Sequence, residues 1–273
     1  MTSAADRLRV AIDDQGVADV RLIRPDKMNA VDDAMFDALI ETGEALKQDK
    51  SVRAIVLSGE GKAFCAGLDT ENFGKMASGA PRRNTDLAAQ QRTPGGANRP
   101  QQAVLVWREQ PVPVIAAVHG VAFGAGFQLA LGADIRIVAP DTRMAILEIK
   151  WGLVPDMGAY VLLSGLIRDD LVRELTYTGR IFSGEEAVGL GLAARTTADP
   201  YADALTLAHE IAGKSPDAIR AAKRLFEGSR TWDRGHTLRE ETREQVALIG
   251  SPNQKEAIMA NLEKRAPRFA DPT

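Results

Sequence analysis

The sequence predicts an α/β fold, and three observations carry that prediction. Short apolar runs ending in glycine, RAIVLSG at 53–59 and PVIAAVHG at 113–120, read as strands buried on both faces. Helical periodicity lies between them, with Met35, Leu39, Ala45 and Leu46 in register over 32–48. Beyond residue 183 the pattern turns helical. Strands that alternate with helices in this way make an α/β architecture. With 273 residues, 45% hydrophobic and 26% charged, the chain can bury one sizeable core or a core plus an appendage.

LRVAI and VADVRLI alternate apolar and polar residues around Asp13-Asp14-Gln15-Gly16, which predicts a hairpin. A loop at Pro25 precedes the 32–48 helix. The strand at 53–59 and a small-residue turn follow. Residues 78–102 form the only long polar, Pro/Gly-rich stretch, expected as a loop or a poorly ordered helix with flexible ends. The strand at 113–120 comes next, then another at IRIVA (135–139). Ser183-Gly-Glu-Glu offers a capping box, Ser215-Pro216-Asp217 starts a further helix, and the last helix is expected from about Asn253 to Arg265. There is no internal repeat.

A net charge of −3 with no basic block gives no electrostatic footprint for nucleic acid or an anionic membrane. MTSAADRLRVAIDD lacks a basic start and an apolar core, so no secretory leader is expected. No apolar run approaches the ~20 residues a membrane helix needs. The single cysteine, Cys65, excludes an intrachain disulfide and suits a reducing, cytoplasmic setting.

Chemistry concentrates in three segments. IVLSGEGKAFCAGLDTENF (55–73) and VIAAVHGVAFGAGFQLALGADIRI (114–137) each run from a strand into a small-residue turn, where backbone N–H groups can approach a ligand closely. Gly124-Ala-Gly126 is no dinucleotide fingerprint, because Leu129 stands where its third glycine belongs. The third segment, AILEIKWGLVPDMG (145–158), carries Glu148 and, eight residues on, Asp156 among apolar neighbours. Carboxylates in such company are costly unless paired, hydrogen-bonded or used. His119 reads as structural at a strand end, His209 and His236 form no metal spacing, and Cys65 reads as a packing residue.

The order AFCAGLD, PVIAAVHGVAFGAG and then the Glu148 stretch resembles the crotonase family (the enoyl-CoA hydratase/isomerase superfamily), from RPDKMNAV at 24–31 to NLEKRAPRF at 261–269. The resemblance implies a spiral of ββα units over 1–200 and a C-terminal helical trimerisation region over 201–273, with trimers often paired into hexamers. It implies an acyl-CoA substrate and no cofactor beyond the coenzyme A of that substrate. The main-chain N–H groups of Leu68 and Ala125 are then expected to grip the thioester oxygen, where enolisation puts negative charge. The family usually has glycine at position 125. Arg24, Lys27 and Met28 match the loop bordering the adenine and phosphates, Ala66 and Asp69 flank the first turn, and Lys264 matches a lysine that reaches a neighbouring subunit's coenzyme. The family commonly has an aromatic where Asn261 stands.

A family hydratase brackets its water with two glutamates. One of those positions is Gln128 here, which can orient a water but cannot exchange a proton near neutral pH. A carboxylate at 128 is therefore expected to raise hydration. The other glutamate is Glu148, and Asp156 stands where many hydratases carry glycine. Glu148 with Asp156 is similar to the pair in dienoyl-CoA isomerases and related isomerases of this family, which take a proton at one carbon and return one at another. Trp151, Phe123 and Leu153 are expected to wall the acids. The resemblance thus favours a double-bond isomerase over a hydratase, and an enzyme over a silent acyl-CoA-binding protein, which would lose the acids of 145–158.

Overall fold

A computed structural model describes residues 6–77 and 92–272 of the chain. β1 (Leu8–Ile12) and β2 (Val17–Leu22) pair antiparallel, with Leu8 opposite Leu22. Asp13 makes the turn between them. Its carboxylate accepts the N–H groups of Gln15 and Val17, both at 2.9 Å. α1 (Asp33–Gln48) follows, with the Asp32 carboxylate accepting the Met35 N–H at 2.8 Å as its N-cap.

β3 (Ala54–Gly59) leads to α2 (Thr70–Ala77), and α3 (Arg99–Arg108) starts from a capping box between Asn98 and Gln101. β4 (Val114–Val118), β5 (Val121–Phe123), α4 (Ala125–Leu131), β6 (Ile135–Val138) and β7 (Arg143–Ala145) come next. After them run α5 (Ala159–Leu163), α6 (Asp169–Thr178), α7 (Gly184–Gly189), β8 (Arg195–Thr196) and α8 (Pro200–Ala212). The expected capping box at 183 is half made: the Ser183 hydroxyl accepts the Glu186 N–H. α9 (Pro216–Ser229), α10 (Arg234–Leu248) and α11 (Pro252–Glu263) complete the described chain.

The main sheet runs β1-β2-β3-β4-β6-β8, parallel after the first hairpin. The central strands β3 and β4 are apolar almost throughout because both of their faces are buried. Ile55 and Leu57 of β3 join a large core with Met35, Trp107 and Phe127, while Ala54 and Val56 join a smaller one with Ile115, Ala204 and Ala208. α8 therefore packs on the outer face of the sheet, and the helices that follow from Pro216 hold mainly to one another. Several large apolar side chains on them lie open, among them Phe226, Val246, Ile258 and Leu262.

A second ladder positions the site. β5 pairs parallel with β7, and isolated bridges join Val31 to Leu68, Cys65 to Ala122 and Met144 to Phe182. β2, β3, β4 and β6 thus each run into a short rung of the second ladder before the next helical segment, which is the spiral of ββα units. The turns after three of these rungs carry Leu68, Ala125 and Glu148.

Two boundaries differ from the sequence expectation. The last helix stops at Glu263 because Lys264 takes a left-handed conformation, φ 56°, and caps it. Of the polar stretch at 78–102, residues 78–91 lie outside the described residues, and its end forms the start of α3. No described helix is long and apolar enough to cross a membrane.

Candidate active site

The two small-residue turns lie side by side. The N–H of Phe123 donates to Cys65 O at 3.1 Å, and the N–H of Cys65 to Val121 O at 3.0 Å. On the other side, Val31 donates to Gly67 O at 2.8 Å and Asp69 to Val31 O at 2.9 Å. These bonds leave the Leu68 N–H donating to no backbone group among the described residues. Ala125 opens α4, so its N–H also has no place in the helical ladder. Gly67, at φ 101°, makes the approach close: a Cβ there would stand 2.8 Å from Phe123 O and 3.9 Å from Ala125 N. Each of the two adjacent turns thus presents a main-chain N–H with no backbone partner among the described residues. The Cys65 thiol beneath them is fully buried, and burial pushes it up to about 12.

Glu148 opens a 3-10 turn after β7, and its carboxyl lies against the second turn. A Cβ on Gly124 would come within 3.2 Å of Oε1, and φ at Gly124 is 48°, so glycine there makes room for the acid. The Gln128 side chain, 1% exposed, donates Nε2–H to Glu148 Oε1 at 2.7 Å. Glu148 Oε2 is buried with no hydrogen-bond partner. Burial pushes this carboxyl above the usual carboxylate range, and the negative charge of Asp156 adds to the rise, against the hydrogen bonds from the backbone and Gln128. An acid raised in this way exchanges protons nearer neutral pH.

Asp156 is exposed, between buried Pro155 and Met157. The N–H groups of Met157 and Ala159 donate to Gln128 Oε1 at 2.8 and 3.3 Å. Gln128 thus ties the segment bearing Asp156 to Glu148. Its oxygen, expected to orient a water, is filled by protein amides. Of the expected wall, Phe123 is half-buried, but Trp151 and Leu153 remain 46% and 39% exposed, so the burial of Glu148 comes from the turn and α4.

The residues expected beside the coenzyme divide. Lys27 and Met28 are exposed, and the Ala66 N–H donates to Met28 O at 2.9 Å, which joins this loop to the first turn. Arg24 and Asp69, expected at the coenzyme's edge, are bonded to each other at 3.0 Å with side chains 14% and 5% exposed. Arg24 also donates to Ala30 O at 2.6 Å and lies 3.4 Å from Asp32, which Arg7 holds at 2.8 Å. These four groups share a cleft of about 250 Å³ with Asp33 and Glu71, an acidic surrounding ill suited to phosphate. Lys264 lies apart, at the end of α11.

Sequence reasoning missed Asn29. Fully buried at φ 56°, it bonds the Arg24 N–H, Glu60 O and Ala63 O and so fixes the 24–28 loop to the end of β3. The signal was there in RPDKMNAV, since asparagine tolerates the left-handed region.

Comparison with known proteins places these features in company. A family described as Enoyl-CoA hydratase/isomerase matches residues 13–272. A Bacillus subtilis (strain 168) protein named "Probable enoyl-CoA hydratase" is 31% identical over 94% of this chain and 96% of its own length. The mitochondrial Delta(3,5)-Delta(2,4)-dienoyl-CoA isomerase of Homo sapiens is 32% identical over 95% of this chain and 80% of its own. A solved structure of enoyl-CoA hydratase from Mycobacterium smegmatis superposes with a TM-score of 0.83 at 33% identity, covering 96% of this chain and 98% of that one.

Proposed function

From the premise that the chain belongs to the enoyl-CoA hydratase/isomerase family, we propose that it is an enoyl- or dienoyl-CoA double-bond isomerase. Leu68 and Ala125 N–H hold the thioester oxygen. Glu148 takes a proton from the acyl chain, and the electron pair moves through the conjugated system onto that oxygen. Asp156 then returns a proton at another carbon, which shifts the double bond with no atom gained or lost. Each oxyanion donor contributes on the order of 3 kcal/mol to such a step. Exchange with water resets both acids: Glu148 gives up the proton it took, and Asp156, being exposed, takes up the one it gave.

One observation carries isomerisation over hydration. Water addition needs a second group to hold the attacking water, and the oxygen of Gln128 already accepts two backbone N–H groups. The test is a product assay on 2-enoyl-, 3-enoyl- and 3,5-dienoyl-CoA. Double-bond migration is the expected result, and strong water addition to the 2-enoyl substrate overturns the preference.

On this reading Lys27, Met28 and Ala66 line the coenzyme, with Arg24 and Asp69 behind them, and no cofactor is needed beyond the coenzyme A of the substrate. The open apolar side chains of α9–α11 support assembly into a homotrimer or hexamer, in which Lys264 reaches a neighbour's coenzyme phosphate. Sedimentation of the purified chain tests the assembly. The reaction is proposed for the cytoplasm, as one buried cysteine and no disulfide suit it.

A further inference from the structure

The orientation of the Gln128 amide follows from what faces it. Met157 N–H and Ala159 N–H can only donate, so the amide oxygen must turn toward them and the NH2 toward Glu148. An NH2 group only donates, so Glu148 Oε1 must accept at 2.7 Å. A carboxyl with one oxygen held as an acceptor binds its proton on the other. That other atom, Oε2, is buried and unpartnered, a costly arrangement in a purely structural residue.

We propose that Gln128 is a positioning residue that selects which oxygen of Glu148 handles the proton: Oε1 is held as acceptor, and Oε2 takes and returns the proton. The same amide ties down the segment bearing Asp156, so both acids are set by one neutral side chain. Neutrality is the point. The charged group acting on Glu148 is Asp156, and neither Gly124 from the turn nor Gln128 from α4 brings a second charge. Lys150, on Glu148's own turn, lies with its ammonium over the Trp151 ring instead. A glutamate at 128 would keep one oxygen on the two N–H groups and set the other against Glu148 Oε1, so that a proton must sit between them and Glu148 is protonated at the wrong atom. A carboxylate at 128, expected from the sequence to raise hydration, is on this inference expected to cost isomerase turnover.

The inference rests on the reading of Glu148 as the acid–base group, and the experiment separates the two. Gln128→Met keeps the shape and removes both sets of hydrogen bonds; Gln128→Glu keeps the polarity and adds the charge. For each, kcat, KM and the acidic limb of the pH–rate profile are measured. The Glu148 carboxyl is titrated by infrared difference spectroscopy, its band identified by its loss in Glu148→Gln. Gln128→Met is expected to lower kcat about tenfold with KM within about twofold. The acidic limb and the carboxyl titration should both move to higher pH, and further in Gln128→Glu. Loss of stability with both left in place would make Gln128 merely structural and overturn the proposal. A titration that moves in a protein that isomerises no substrate would sustain the role of Gln128 and remove the proposed function. Turnover with an unmoved titration would do the reverse.

Discussion

On the proposed reading, the two turns that present Leu68 and Ala125 share one job, but their means of support are opposite. Behind the first stands a chain of charges, Arg7–Asp32–Arg24–Asp69, with Asp69 next to Leu68 in sequence. Behind the second stands a neutral amide, Gln128, between two backbone N–H groups and Glu148. The first turn borders no group that changes charge during turnover, so buried ions can serve as its struts. The second touches Glu148, the acid proposed to gain and lose a proton, and a permanent charge there would bias it. What supports an active-site turn is constrained by whether its neighbour titrates.

The largest expected effect tests the neutral side. Glu148→Gln is expected to lower kcat by about a thousandfold, with CoA-thioester affinity little changed, since it removes a base and keeps shape and polarity. Single-turnover kinetics with binding measured in parallel checks this; wild-type activity on every substrate would mean another group is the base.

The charged side is tested by Asp69→Ala, which leaves Arg24 without its closest acid. Breaking a largely buried pair by deleting one partner costs about 3 kcal/mol, read by urea denaturation. A shifted Leu68 N–H should also lower kcat about tenfold. Arg24→Lys should fail to restore either property, because lysine cannot bond Ala30 O and Asp69 in the fork that arginine makes. A mild, purely kinetic effect would mean the ion chain does not hold the turn.

A smaller effect has a defined sign. Burial raises the Glu148 carboxyl in the folded chain, so unfolding releases protons once pH passes the ordinary carboxylate value, and stability falls as pH rises through the raised one. Glu148→Gln should therefore be more stable than the parent at pH 8, by up to about 1 kcal/mol, and lose the advantage near pH 4. Thermal melts at the two pH values decide. Smallest of all, Lys264→Ala should raise KM for CoA thioesters by about threefold more than it lowers kcat, and the difference should shrink in high salt, where an open lysine–phosphate contact is screened.

The strands were legible in the sequence because two buried faces leave an unbroken apolar run, and the glycines that end RAIVLSG and PVIAAVHG mark where the chain leaves the sheet. The helix at 32–48 was legible from its period. Glu148 and Asp156 stood out as acids in apolar company, and the ordered motifs around them carried the family. The supports were not legible. Arg24 meets Asp69 across 45 residues, and Gln128 meets the N–H groups of Met157 and Ala159 across 29 and 31, so neither has a local spacing to betray it. For α9–α11 only the family resemblance pointed to a partner, since a helix destined for a partner has the same period as one destined for a core.

Cys65 turns the site into its own clock. Its thiol lies under both turns, wholly buried and held protonated far above neutral pH, so an alkylating reagent reaches it only when the turns part. The rate at which the thiol is modified then counts those openings, and a thioester bridging Leu68 and Ala125 should slow the count in proportion to its occupancy.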